Sequence, residues 1–497
     1  MTLNRRIALG AAWMIGLRLI YRLIGIISMI ILARLLVPED FGLVAMATAL
    51  MALVVLFSEL SVDTALVQKT DVDASDLDSA WSLQVMLAVC QAAAMAALAQ
   101  PIANFYDKPE LRPVIYVLSL ALLIQGFRNI GTVAFQRDMT FHKEFVLRCS
   151  QKLVSFTATV TIAILFRSHW ALVTGILAGK TAETMLSYGM HPYRPRWSRE
   201  KWGALFAFSK WLLLNNGLLF LAQKGPIFIL GKLSNAQGVG AFTIAYEIAM
   251  LPHAELVAPI NKAVLPGYSK MKQSRTQLQQ GYIDVIGMIT LIALPAALGL
   301  AATADVLIPL LLGQNWLATV PLVEVLALGA AVSTLQTNTG TVFLALGHPH
   351  ILSRLVAIWV AVLVPSMITG GILAGPYGLA CAIVLVTAAM LPVNVATVLY
   401  VLRLSPWRLL AAVIRPCLAG CLMYAIVDLY LAPSITQALG AATVLSALTT
   451  VAGGAVVYSG LVGVLWLVAK GPAGAETHFG NFCRDRLLGR TARQAAE

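Results

Sequence analysis

Residues 376–402 read PYGLACAIVLVTAAMLPVNVATVLYVL, 27 positions without an Asp, Glu, Lys or Arg. A surface helix of that length would need a polar face, and an apolar run longer than about 18 residues is long enough to cross a bilayer. The neighbouring runs at 351–372, 409–432 and 440–469 are also largely apolar, and the whole chain follows them. Of its 497 residues 59% are hydrophobic and 12% charged, with mean hydropathy +0.81, whereas soluble domains carry about 25% charged residues. At roughly 20 residues per span, the length holds about 14 transmembrane helices. No connection between runs exceeds roughly 20 residues, so the reading is an all-α integral membrane protein without a sizeable aqueous domain.

The remaining runs fall at 9–33, 41–62, 80–100, 113–136, 149–166, 171–189, 204–230, 238–265, 281–304 and 320–345. With the N-terminus inside, most of the 35 Lys and Arg lie on the cytoplasmic side, 5 on the other side and the rest within spans. That asymmetry is the positive-inside signature, and it places both termini in the cytoplasm. The net charge of +12 is therefore mostly a topology signal, and no nucleic-acid partner is expected. The six cysteines form no C-x-x-C pair, which supports neither a disulfide framework nor a metal site. The start, Asn4-Arg5-Arg6, is read as leading into a retained first span, because Arg18 and Arg22 interrupt the apolar run as a cleaved leader's core would not be interrupted.

A shift of 198 residues lays Leu32-Ala-Arg34-Leu35 on Leu230-Gly-Lys232-Leu233, Gly42 on Gly240, Ala47 on Ala245 and Trp13 on Trp211. Parallel six-span repeats are a transporter architecture. The expected organisation is a six-helix lobe at 1–200, a second at 201–402, two additional helices at 403–470 and a cytoplasmic tail at 471–497, with Arg484, Arg486, Arg490 and Arg493 at a membrane surface.

Charges inside spans are costly and usually face a partner or an aqueous cavity. The first half carries Arg18, Arg22, Arg128, Lys152 and Lys180 against Glu183; the second carries Lys210 and Lys224 against Glu247, Glu255 and Glu324. Arg18 and Arg22, at i and i+4, share a helix face, either as a cationic ladder in a cavity or snorkelling to headgroups. Arg128 stands mid-run with Gln125 and Thr132, and Lys152 with Ser155 and Thr159, as polar stripes that line a cavity or join helices. Lys180 and Glu183, at i and i+3, either neutralise each other or serve a ligand. Gly175-Ile-Leu-Ala-Gly179-Lys180-Thr181 is one residue short of a phosphate-binding loop and is read as close helix packing. Lys224-Gly225-Pro226 is expected to break its helix. Glu247, Glu255 and Glu324 are candidates for ion coupling, with pairing to Lys210, Lys224 or Lys262 as the alternative. No cofactor is expected.

The segment Leu32-Ala-Arg-Leu-Leu-Val-Pro-Glu-Asp-Phe-Gly-Leu-Val-Ala-Met-Ala47, followed by Ala65-Leu-Val-Gln68, resembles the signature of bacterial polysaccharide-transport (Wzx-like) lipid-linked oligosaccharide flippases. Gly231-Lys232, Gly240, Ala245-Tyr246, Leu251-Pro252, Leu265-Pro266 with Ser269, and Leu311-Leu-Gly313 with Trp316 resemble the same family. Gln223-Lys224-Gly225-Pro226 departs from it where an acidic or amide residue is expected. The resemblance implies the fold of multidrug-and-toxin exporters and lipid II flippases: two six-helix lobes around a central cavity, plus two helices. It implies an undecaprenyl-diphosphate-linked oligosaccharide, flipped from the cytoplasmic to the periplasmic leaflet of a bacterial inner membrane for exopolysaccharide, capsule or O-antigen assembly. A polysaccharide polymerase and chain-length or export proteins are implied partners. Arg18, Arg22, Arg128, Lys152, Lys180 and Lys224 would then grip the diphosphate. The alternatives are another exporter of this fold, for lipid II or drugs, and a membrane glycosyltransferase using Glu39 or Asp40, residues read instead as capping the second helix.

Overall fold

Backbone groups in a bilayer have no water to bond, so an apolar run is helical or part of a closed barrel. In the computed structural model, which describes residues 3–56, 66–67, 69, 72–202, 210–440, 443–471, 474 and 476–477, every regular element is a helix. The chain falls into two units, Met1–Thr243 and Ile244–Glu497. The first holds α1 (Leu3–Leu35), α2 (Pro38–Leu56), α3 (Ala74–Phe105), α4 (Leu111–Gly126), α5 (Phe141–Phe166), α6 (Trp170–Met190), α7 (Lys210–Leu233) and the start of α8 (Ala236–Ala249). The second holds the rest of α8, then α9 (Ala258–Met271), α10 (Arg275–Ala302), α11 (Ala304–Leu311), α12 (Val320–Thr334), α13 (Asn338–Leu346), α14 (Pro349–Leu402), α15 (Pro406–Ile426), α16 (Ala432–Leu439) and α17 (Val444–Val468). Among the described residues nine helices are long and apolar enough to cross a membrane, or up to 10 with a bent pair. One of the nine, α14, is two helices: Ala374 and Gly375 leave helical geometry, Gly375 at φ 56, where the runs 351–372 and 376–402 separate.

Two expectations about helix continuity are corrected. The run 113–136 is not one helix. It bends by 71° between Leu111–Gly126 and Ile130–Arg137, so Arg128 stands in a turn and shares no helical stripe with Gln125 and Thr132. The turn is stable because its polar groups are bonded: Gln84 Nε2 donates to the carbonyls of Gly126 and Arg128 at 2.8 and 3.0 Å. Asn129 N donates to Ser187 Oγ, and Asn129 Oδ1 accepts from Gly131 N, both at 2.9 Å. Conversely, α7 runs through Gly225-Pro226 unbroken, since one lost backbone bond is tolerated in a membrane helix. The irregularities lie elsewhere, as π-turns at His253–Val257, directly after Pro252, and at Val427–Leu431.

Small residues set the helix spacing. A Cβ on Gly175 would lie 1.7 Å from Thr159 Oγ1, and one on Gly179 would lie 3.0 Å from Ser155 Cβ. The polar stripe beside Lys152 therefore joins α5 to α6, as the phosphate-loop look-alike read as packing requires. The repeat has a sharper mark. A Cβ on Gly42 would meet the Ala236 carbonyl oxygen at 1.8 Å, and one on Gly240 would meet the Pro38 carbonyl oxygen at 1.8 Å. Both pairs, Gly42 with Gly240 and Pro38 with Ala236, are separated by the same 198 residues, so the starts of α2 and α8 cross as a symmetric pair. Asp40 fastens the start of α2, accepting from Val37 N at 3.2 Å and from His169 N at 2.7 Å, which gives it the capping role read from sequence.

The basic segment 191–201 is tied across the start of α3. Lys201 Nζ reaches Asp73 Oδ2 at 2.8 Å and Asp76 Oδ1 at 3.0 Å. Tyr193 Oη donates to Asp78, which also accepts from Arg196 N at 3.0 Å. Asn129 Nδ2 donates to the Tyr193 carbonyl at 2.9 Å, and Trp202 Nε1 to the Ser79 carbonyl at 3.1 Å. The second unit has a neutral polar core instead: Tyr268 Oη donates to Asn338 Oδ1 and Asn338 Nδ2 to Asn261 Oδ1, both at 2.7 Å, among buried Tyr282, Phe343 and Val398.

Replacing Gly42 or Gly240 with Ala should lower thermal stability in detergent by about 2 kcal/mol each, the scale of overpacking at a backbone contact. Equal losses at the two positions would follow from the shared contact. Asp78→Asn should free the strap and speed tryptic cleavage after Arg196 and Arg199 several-fold. The bonded Lys201 ammonium holds the Asp73 carboxyl below its ordinary 3.8. Its contribution is thus complete above that pH and lost as the pH falls through the lower folded value, so cleavage should quicken only in acid, when read with an acid-active protease.

Candidate functional site

Lengthening α5 to Phe141, eight residues before its apolar run begins, adds a cation that composition assigned to a loop. Arg148 lies on the face shared by Glu144 and Lys152, four residues away on either side. Its Nη1 is 3.6 Å from Glu183 Oε1 on α6, and its Nε is 4.0 Å from Glu144 Oε1. Lys180 Nζ reaches the other Glu183 oxygen at 3.8 Å. Glu183 is 2% exposed and is thus shared between two cations, so the Lys180–Glu183 pair is not closed on itself. Glu144 is held by Gln136 Nε2 at 2.7 Å.

Tyr21 of α1 completes the group: its Oη donates to the Arg148 carbonyl at 3.0 Å, and Lys152 Nζ stands over its ring, 5.8 Å from the centroid. The charges of Arg148 and Arg128 both act on Lys180. Arg148, Lys152 and Lys180 stand with Glu144 and Glu183, three cations on two carboxylates. Such a cluster can bind a divalent anion by charge and by the fork of a guanidinium.

The other sequence candidates are placed differently. Arg22 is half-buried next to Tyr21 on α1, and Arg18, one turn earlier, is exposed. Lys224 is half-buried on α7, and among the described residues no ion pair joins it to the cluster. The Lys210 side chain lies outside the described residues, as do Ala65, Gln68 and the tail arginines. Glu247 and Glu255 are exposed on α8 and in the π-turn that follows it. Glu324 is half-buried on α12, and the charges acting on it are those of Asp305 and Asp428. Neither acid was singled out in the sequence, because Asp305 begins the short α11 and Asp428 lies in a π-turn.

Comparison with known proteins settles the lineage, since residues 31–321 match the model of the family described as "Polysaccharide biosynthesis protein". The chain belongs to the polysaccharide biosynthesis protein family. Among its relatives is the lipopolysaccharide biosynthesis protein WzxC of Escherichia coli K12, 24% identical over 78% of this chain and 79% of that protein. The teichuronic acid biosynthesis protein TuaB of Bacillus subtilis 168 is 21% identical over 70% and 73%. The succinoglycan biosynthesis transport protein ExoT of Rhizobium meliloti 1021 is 23% identical over 61% and 62%. In fold, the family member is similar to the lipid II flippase MurJ, at TM-score 0.72 and 11% identity, covering 92% of this chain and 99% of that one. It also resembles an inward-facing multidrug resistance MATE transporter of the MOP superfamily, at TM-score 0.62 and 15% identity over 78% and 96%. The all-α, multi-pass membrane fold is similar to that of these two transporters.

In this family member Glu183 is the carboxylate on which two helices depend. Glu183→Ala should cost about 2 kcal/mol, less than for a fully buried pair because Arg148 is 36% exposed. Thermal unfolding in detergent measures it, and adding Arg148→Gln should recover part of the loss.

Proposed function

We propose that the protein flips a polyprenyl-diphosphate-linked oligosaccharide from the cytoplasmic to the outer leaflet of the bacterial inner membrane, for assembly of a surface polysaccharide. The observation that carries this reading is the cluster of Arg148, Lys152 and Lys180 by the buried Glu183 and by Tyr21 in the first unit. A diphosphate is the part of such a substrate that lipid most strongly rejects. Arg148 and Lys180 already share one carboxylate, so a phosphoryl oxygen can replace Glu183 on either cation without leaving a charge bare. Tyr21, bonded to the Arg148 backbone, keeps α1 against this site.

The glycan needs an aqueous path, whereas the polyprenyl chain is at home in lipid. Alternating access that presents the cluster first to one side of the membrane and then to the other meets both demands, with no bond made or broken. The relatives' roles in polysaccharide, teichuronic acid and succinoglycan biosynthesis and the flippase and exporter folds support transport over catalysis. Both termini then lie in the cytoplasm, and a polymerase and export proteins act on the delivered units. Glu247, Glu255 and Glu324 are the carboxylates through which an ion gradient would drive the cycle.

Vesicles reconstituted with the protein and a short-chain lipid-diphosphate oligosaccharide test the reading. A glycan-modifying enzyme added outside reports which headgroups have crossed. Wild type should raise crossing above protein-free vesicles, and Arg148→Gln with Lys180→Gln should reduce it about tenfold, as expected for losing charge-assisted contacts. Arg128→Ala should also reduce it. Crossing unchanged in these well-inserted variants would overturn the cationic site; no crossing by wild type would overturn the transport reading.

A further inference from the structure

Arg415 lies in the second unit, well inside α15, where a cation calls for a partner. It finds one in the tail that follows α17. Arg415 Nε donates to Glu476 Oε1 at 2.8 Å and Arg415 Nη2 to Glu476 Oε2 at 3.1 Å, and the two side chains are only 14% and 7% exposed. Around the pair is a cleft of 230 Å³ whose polar lining is Gln280, Asp284, Arg408, Arg415 and Glu476. Arg408 stands two turns before Arg415 on the same face of α15, and its Nη2 donates to Gln280 Oε1 at 3.0 Å. Gln280 in turn donates to Asp284 Oδ1 at 2.8 Å. A tight turn presents the tail carboxylate, with Gly474 N donating to Thr477 Oγ1 at 2.8 Å.

We infer that Arg415 and Arg408 form a phosphoryl-anion seat between α10 and α15, which the protein's own Glu476 fills until an outside anion displaces it. The side-on guanidinium edge that grips two carboxylate oxygens grips two phosphoryl oxygens with the same geometry. With the tail in place the cleft is neutral, two Arg against Asp284 and Glu476; with the tail displaced it is one charge positive. The open volume beside the pair leaves room for an anion larger than a carboxylate to enter before the tail departs. The seat belongs to neither the first-unit cluster nor its substrate. Its ligand is a phosphate group, carried either by an anionic lipid headgroup or by a soluble phosphate.

The full-length protein in phosphatidylcholine nanodiscs provides the test, with hydrogen exchange of the peptide spanning residues 471–477 reporting the tail. Inorganic pyrophosphate is titrated in one arm, against chloride at matched ionic strength, and phosphatidylglycerol is added to the bilayer in the other. In wild type at least one of the two should accelerate tail exchange. Glu476→Gln should exchange fast from the start and hold the effective anion about fivefold more tightly, the scale of removing one competing ion pair. Arg415→Gln should also exchange fast, but without that gain. Because the first-unit cations are unchanged, the difference between wild type and Glu476→Gln isolates this seat from the flipping site. A response to phosphatidylglycerol alone assigns a lipid headgroup, and one to pyrophosphate alone a soluble phosphate. A wild-type tail indifferent to both, or a Glu476→Gln protein with a released tail and unimproved affinity for both, overturns the inference; either comparison stands even where Arg415→Gln fails to fold.

Discussion

A charge inside a membrane protein must be paired or kept in contact with water, because lipid offers neither a counter-ion nor a hydrogen bond. The Glu183 carboxylate shows how that constraint organises the first unit. It is buried on α6 between Arg148 of α5 and its own neighbour Lys180, so the two helices cannot separate without losing an ion pair. Tyr21 adds α1 by bonding to the Arg148 backbone, and the glycines of α6 let α5 come close enough for the carboxylate to reach. The pairing is incomplete in charge, and that incompleteness gives the unit something to offer an anion.

Most of the architecture was legible in the sequence because the bilayer imposes one rule on every span. Run lengths located the helices, and the uninterrupted 376–402 run was separated from 351–372 at the place where Gly375 takes positive φ. Interruptions were harder to read. Pro226 is the stronger local signal, yet α7 continues through it, whereas the bend at Arg128 comes from tertiary partners, Gln84 on α3 and Ser187 on α6. Hydropathy carries no information about a side chain that arrives from another helix.

The same limit explains the site residues. Lys180 and Glu183 lie three apart on one helix and were legible as a pair; that Glu183 also serves Arg148 depends on which helix packs beside α6. Arg148 could have been found by extending its helix backward from 149, since Glu144, Arg148 and Lys152 keep a four-residue spacing. Arg415 and Glu476 are 61 residues apart, with nothing in either neighbourhood to link them. Only the folded tail reveals the carboxylate that reaches Arg415.

The repeat and the charges carry different information. At Gly42 and Gly240 the repeated register survives because each glycine faces a carbonyl at 1.8 Å from where a Cβ would stand, a backbone demand that no other residue type meets. Polar chemistry was under no such demand, and it has diverged. The first unit gathers guanidinium and ammonium groups around too few carboxylates, while the second answers with neutral Asn261, Tyr268 and Asn338 bonded to one another and with acids around Glu324. The polar chemistry of the two units therefore differs: the first shares a buried carboxylate between two cations, whereas the second closes a chain of hydrogen bonds among neutral groups.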